Sequence, residues 1–383
     1  MMLNLPIDLA EEVLSRVPMT SMRKVRFACK NWNTLSRCRK FGKKHLGVAK
    51  AKKAKKKSMV VLMMDYKAQS SSSCIEHEGK LISLDNSYEV HVSQVFHCDG
   101  LLLCITKDHT KLVVWNPYLG QTQWIDPTHT FPRLDFYSYA LGYDDNRSRS
   151  YKILRFIDVF CPKTFVETNI YDFNSASWRV LDVSPDGKVD YYDRGVSLKG
   201  NTYWFAKEKP SETREEGVDE EAFLVCFDST REVFGPLLPL PFEWFVEDTA
   251  TLSSVREEQL AVLFQRWDTS MLEIWITTKI EPDAVSWSTK CFLALNMTPF
   301  TFSGFQFPVT AASFFIDEEE KVAVVFDKIV LDENGYYINP NRNLAYILGV
   351  DGSVKKASLG DSQYKHCYPL VCSYVPSLVQ LNN

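Results

Sequence analysis

The chain has 383 residues, 45% of them hydrophobic and 24% charged, which suits one small and one larger folded domain with ample apolar surface for a core. No basic stretch followed by an apolar run opens it, so no secretory leader is expected, and apolar runs such as Met59–Met64 are too short to cross a bilayer. The net charge of −4 conceals an asymmetry: residues 1–57 carry 16 Lys and Arg against 3 Asp and Glu, the rest 28 against 45, which reads as two regions with different partners.

The first region, residues 1–46, reads as three short helices. Pro6 suits a first helical turn, and Asp8, Glu11 and Glu12 follow where negative charge complements the helix dipole. Leu9, Val13, Leu14 and Val17 share one face, and Pro18 stops the segment. Thr20 or Ser21 caps a second helix carrying Met22, Val25 and Cys29. A third carries Trp32 and Leu35. So small a unit buries little by itself and should lean on a partner. Residues 47–58 follow as a lysine-rich linker, with six lysines in Lys50–Lys57; charge at this density stays solvated. A nuclear-import signal is the second reading of that run, and nucleic-acid binding the weakest, since aromatics that would stack on bases are missing.

From residue 59 to the end the pattern is all-β. Six pairs of strand-like runs are expected: 59–64 with 80–84, 101–105 with 111–115, 151–157 with 168–173, 202–206 with 223–228, 259–264 with 272–277, and 322–327 with 344–348. Their loose period near 50 residues predicts a propeller with four strands per blade. Weaker strands flank the pairs at 122–125, 140–143, 178–181 and 250–253, and 370–375 is placed to pair back into the first blade and close the ring. A two-sheet sandwich is the alternative architecture.

Leu5-Pro6, Asp8-Leu9, Glu12-Val13-Leu14, Arg16-Val17-Pro18, Val25-Arg26, Cys29-Lys30 and Trp32 resemble the F-box pattern. Downstream, DGLLLC (99–104), VVWNP (113–117), ALGYD (140–144), YKILRF (151–156), YDFNSASWRVLD (171–182) and GNTYWFA (200–206) look like the F-box-associated interaction domain of plant F-box proteins, over most of residues 95–375. That domain is kelch-like, although no Gly-Gly dipeptide occurs in this chain. The resemblance implies a three-helix F-box followed by a six-bladed kelch-like β-propeller. It also implies a function: the substrate-recognition subunit of an SCF-type (Skp-cullin-F-box) ubiquitin ligase, without catalysis of its own, in nucleus or cytoplasm. Its partners would be a Skp adaptor, through it a cullin, and a protein substrate marked for degradation. Carried over residue by residue, the adaptor contacts are Leu5, Pro6, Leu9, Leu14, Val17, Pro18, Val25, Cys29 and Trp32, with core packing the competing role for Val25 and Cys29.

Enzyme machinery is hard to find. There is no H-E-x-x-H, G-x-S-x-G or G-x-x-x-x-G-K-[ST] motif. His97-Cys98 and His366-Cys367 are strand neighbours that point to opposite faces, so no metal and no cofactor is expected. The ten cysteines show no C-x-x-C pair and read as reduced thiols. A propeller enzyme and a nucleic-acid-binding protein stay open as alternatives. For the substrate, the connections within the six strand pairs (65–79, 106–110, 158–167, 207–222, 265–271 and 328–343) should leave one face of the ring. They hold Phe160, Phe165, Arg266, Trp267, Tyr336 and Tyr337, types enriched at binding hot spots. Residues 207–221 carry seven acidic against three basic side chains, which favours a basic target; ordinary variable loops are the competing explanation.

Overall fold

The computed structural model describes residues 6–17, 21–51, 60–64, 67–71, 91–127, 137–145, 149–160, 164–190, 192–209, 220–301, 305–308, 312–328, 342–362 and 368–381. Four helices come first, α1 Ile7–Leu14, α2 Met22–Ala28, α3 Lys30–Arg37 and α4 Arg39–Ala51. Leu14, Met22, Val25 and Phe41 form their shared core, with Val17, Trp32 and Leu35 packed against it. The expectation of three helices is thus corrected. Phe41 and His45, one turn apart on α4, are both buried, and Lys44 ties α4 to α1 through Glu12 (2.9 Å) and Glu11 (3.7 Å). Helix α4 also runs across the expected boundary at residue 46, because Lys and Ala are good helix formers and no proline interrupts them.

The rest is β structure. Strands β1 Val60–Met64 and β2 Lys67–Ser71 begin it; β3 Val92–Cys98, β4 Leu101–Thr106, β5 Leu112–Asn116 and β6 Gln121–Ile125 follow; then β7 Ser138–Asp144, β8 Ser150–Phe160, β9 Thr164–Asp172 and β10 Ser177–Leu181. Next come β11 Val196–Leu198, β12 Asn201–Lys207, β13 Ala222–Asp228, β14 Val233–Phe234 and β15 Leu238–Pro239, and β16 Thr249–Val255, β17 Gln259–Gln265, β18 Met271–Glu281, β19 Ala284–Trp287 and β20 Leu293–Asn296. The last are β21 Ser313–Asp317, β22 Val322–Asp327, β23 Arg342–Gly349, β24 Val354–Asp361 and β25 Leu370–Ser373.

Five sheets have the order of a propeller blade, β3 to β6, β7 to β10, β11 to β14, β16 to β19 and β21 to β24, with β15 and β20 as short additions. Five of the six expected pairs are the two middle strands of these blades. The sixth is corrected. β1 pairs with β2 on one side and β25 on the other, while residues 80–84 lie outside the described residues. Among the described residues there are therefore five four-stranded blades, not six, and a three-stranded sheet that joins the beginning of the β region to its end. That pairing removes an exposed edge. Alternation along β1 shows how it is held: Val61 and Met63 pack with Leu102, Val113 and Trp115 of the first blade, Val60 and Leu62 with Phe315, Val324 and Phe326 of the last. Apolar clusters fill every other gap between successive sheets.

The innermost strands are rich in Ser and Thr, and their hydroxyls bond the backbone of the neighbouring sheet. Thr251 Oγ1 donates to Ala312 O (3.0 Å) and Ser253 Oγ to Phe314 O (2.7 Å). Ser313 Oγ donates to Val371 O (3.1 Å), and Ser373 Oγ to Ser254 O (3.1 Å). Partners advance in the same direction on both strands, so these inner strands run parallel around the axis. These hydroxyls tie the inner strands to one another through backbone carbonyls.

Candidate interaction surfaces

Antiparallel order fixes two faces. Turns between first and second, and third and fourth, strands of each blade leave on one face; connections between the two middle strands leave on the other. The helical unit sits on the first face. Tyr118, in the turn after β5, is buried. Its carbonyl accepts a bond from the Arg26 guanidinium, whose Cζ also lies 5.8 Å from the centre of its ring. Its hydroxyl is 2.9 Å from His45 Nδ1, while His45 Nε2 donates to Val17 O at 2.7 Å. The C-terminal tail completes the contact. Asn116 Nδ2 donates to Val379 O (2.7 Å), and Leu378 lies so close to Gly42 that a Cβ there would collide with it.

Leu14, only 2% exposed, and Val25, two of the expected adaptor contacts, are buried in the core of the helical unit. Val17, Cys29 and Trp32 are half-buried; Val17 and Trp32 flank the core, and Cys29 Sγ accepts from Trp32 N (3.5 Å) at the start of α3. Pro6 is exposed and Leu9 is 54% exposed, whereas Leu5 and Pro18 lie outside the described residues. Three exposed apolar side chains were missed, Ile7, Val13 and Phe27. Periodicity counted Val13 with the buried stripe of α1. Its neighbours Ala10, Glu11 and Leu14 face inward instead, leaving Ile7, Leu9 and Val13 uncovered, a pattern that marks an interaction surface.

On the opposite face, Trp267 is 53% exposed in the connection between β17 and β18. Arg266 beside it is clamped by Asp268 through two bonds of 3.0 and 2.9 Å and lies over the Phe245 ring at 5.5 Å. Asp248 organises both segments, its two carboxylate oxygens accepting from Trp267 N and Phe245 N, each at 3.0 Å; burial raises its pKa. The aromatic run Phe242, Trp244 and Phe245 supplies this support. It was legible as an aromatic-rich segment but falls between blades, outside the connections considered. The connection expected at 158–167 is mostly strand, since β8 and β9 pair out to Phe160 and Thr164, and β1 and β2 are joined by residues 65 and 66 alone. The side chains of Phe160 and Phe165, and all of Tyr336 and Tyr337, lie outside the described residues.

His97 and Cys98 are both buried on β3. His97 Nε2 accepts from Gly100 N (3.1 Å) and faces Glu257 Oε1 at 3.3 Å. Burial lowers the His97 pKa to about 3 and raises that of Glu257 to about 7. Among the described residues no group of three or more His, Cys, Asp or Glu side chains is placed to hold a metal ion, and no helix is long and apolar enough to cross a membrane.

A small helical unit with an uncovered apolar edge, fixed to one face of a ring-closed β-propeller, defines a protein-interaction module. Residues 2–44 match the F-box domain, and residues 53–381 match the F-box associated β-propeller domain. Among similar proteins of Arabidopsis thaliana are a putative F-box protein 57% identical over 99% of both chains and an F-box protein 55% identical over the whole of both. An F-box/kelch-repeat protein is 54% identical over 99% of both. The chain belongs to the F-box proteins that carry an F-box associated β-propeller.

Proposed function

We propose that this chain is the substrate-recognition subunit of an SCF-type ubiquitin ligase, holding a Skp adaptor through its F-box and a target protein through the propeller face that carries Trp267. One observation supports this above others. The helical unit has filled its own core with Leu14, Met22, Val25 and Phe41 and still exposes Ile7, Leu9 and Val13 along one edge of α1. The clamp on Tyr118 makes F-box and propeller one body, so a target on the far face is presented at fixed geometry. Tethering of this kind raises the effective concentration of a target at a ubiquitin-charged enzyme and asks no residue of this chain to react. Phe160, Phe165, Tyr336 and Tyr337 belong to the same proposed face by chain position. Lys50–Lys57 is proposed as a nuclear-import segment. Its replacement by glutamine should shift a fluorescent fusion towards the cytoplasm.

The test is capture from plant cells under proteasome inhibition. Full-length chain should bring down a Skp adaptor, a cullin and target proteins. Arg266→Ala with Trp267→Ala should lose the targets and retain adaptor and cullin. Absence of adaptor from the wild-type capture would overturn the reading.

A further inference from the structure

Beside Trp267, on the same face, lies a recess of about 160 Å³ lined by Tyr192, Asp193, Phe205, Lys207, Trp244 and Asp248, among others. One lysine, Lys207, lines its wall, and it shares the Asp190 carboxylate with Lys188. Asp190 accepts from Lys207 Nζ and from the Tyr192 hydroxyl, each at 2.9 Å, and lies 3.0 Å from Lys188 Nζ. Lys207 is further held 5.2 Å from the centre of the Trp244 ring. Asp193 has no lysine so close: a backbone hydrogen bond from Asp190 reaches its carboxyl, and Lys207 and Lys188 act on it only through their charge. Among the described residues no Lys, Arg or His forms an ion pair with it, although burial and the nearby Asp190 raise its pKa to about 7. A carboxyl in that position gains more than an exposed one from a cation that enters and bonds to it.

The surroundings are apolar and rigid. Phe205 and Trp244 pack edge to face at 5.6 Å, and the Trp244 indole donates to Asp248 O at 3.3 Å. At the rim of the recess Val246 is exposed, as is Trp267 nearby, and Asp248 accepts from the backbone of Phe245, next to Val246, and of Trp267. The propeller region as a whole is acidic, as its charge count shows.

Resting on the receptor reading above, we propose that this recess binds the cationic head of an arginine or lysine in the target protein, with Asp193 as counter-charge and Val246 and Trp267 receiving apolar residues next to it. The selected target is therefore a segment with one basic residue flanked by aliphatic or aromatic ones. An aromatic wall favours the cation beyond the charge pair alone, and charge complementarity rejects acidic segments.

The probe is a phage-displayed library of random twelve-residue peptides, panned on the full chain purified with a plant Skp adaptor. Enriched peptides should carry Arg or Lys beside an apolar residue. Their affinity should fall at least tenfold on Asp193→Asn, which keeps the shape and removes the charge, and several-fold on Trp267→Ala. Enriched peptides without a basic residue, equal binding to Asp193→Asn, or no enrichment at all would each overturn the inference. So would a solution dimer broken by Trp267→Ala, which would assign this face to self-association. Co-purification of the adaptor reports separately on the receptor reading: a chain that keeps its adaptor while its peptides ignore Asp193 loses only the cation subsite.

Discussion

His45 of the F-box and Tyr118 of the first four-stranded blade are stacked, with ring centroids 5.8 Å apart and planes 19° from parallel, and they share a hydrogen bond of 2.9 Å. The phenol donates to Nδ1, because the proton of this imidazole is on Nε2, which donates to Val17 O. A buried acceptor loses its only donor in Tyr118→Phe, which should destabilise the full chain by about 1–2 kcal/mol. Tyr118→Ala removes the ring as well and should cost about 3–5 kcal/mol. Because the ring is the bolt between the two units, limited proteolysis of Tyr118→Ala should release an F-box fragment under conditions that leave wild type intact. Unchanged proteolysis would mean that the two units do not depend on this contact.

Burial separates the F-box residues into two kinds with different expected losses. Ile7→Asp with Leu9→Asp changes only exposed positions and should leave thermal unfolding within about 0.5 kcal/mol of wild type while abolishing co-purification with a plant Skp adaptor. Leu14→Ala empties a core position and should cost about 2–5 kcal/mol, with adaptor binding lost only as the unit unfolds. Equal losses of stability for both variants would show that Ile7 and Leu9 are structural.

Sequence patterns carried the five blades because their middle strands hold long apolar, largely buried runs: Leu101–Ile105 and Val322–Phe326 read as strands whichever neighbour they find. The partner of β1 was not legible. Lys67–Ser71 is polar and the segment 80–84 more strand-like, so local preference pointed the wrong way. Its other partner, β25, lies some 300 positions away and was legible, since the apolar run 370–375 was expected to pair back into the first blade. The proposed adaptor contacts were legible as a motif but not as a surface. The motif fixes Leu9 and Leu14 at one spacing, while only packing against Phe41, itself on a helix beyond the motif, decides that one faces out and the other in. The recess at Asp193 gave no signal, since its walls come from three separate stretches of chain.

Closure of the ring should be sensitive to one hydroxyl. Ser313 Oγ donates to Val371 O (3.1 Å) and accepts from Val371 N (2.9 Å), both buried, so it satisfies two groups of β25 from the last blade. Ser313→Ala should destabilise the chain by about 1–3 kcal/mol. Removal of residues 370–383 takes away β25, exposes the edge of β1 and should give insoluble protein. Chemical unfolding of the first and a sedimentation assay of the second check both. A soluble, fully stable truncation would show that the ring does not need this strand.

A pH-dependent contribution is expected from His97 and Glu257. Nε2 of His97 accepts from Gly100 N and lies 3.3 Å from Glu257 Oε1, so two acceptors face each other unless a proton lies between them. Burial puts that proton on Glu257, raising its pKa to about 7 and lowering that of His97 to about 3. A carboxyl whose folded pKa is raised stabilises fully below its unfolded value of about 4.3 and loses that contribution as pH rises through 7. A histidine whose folded pKa is lowered does the reverse, contributing above about 6.5 and losing it as pH falls. The pair thus holds one proton across the window between. Glu257→Gln keeps the shape with a group that never ionises, and leaves His97 unchanged. The variant should therefore gain on wild type as pH rises, by about 2–3 kcal/mol between pH 5 and pH 8.5. Urea unfolding of both proteins at the two pH values measures this directly. A difference that stays constant with pH would place the proton elsewhere, and a variant that gains at acid pH instead would reverse the assignment of Glu257 as the protonated partner.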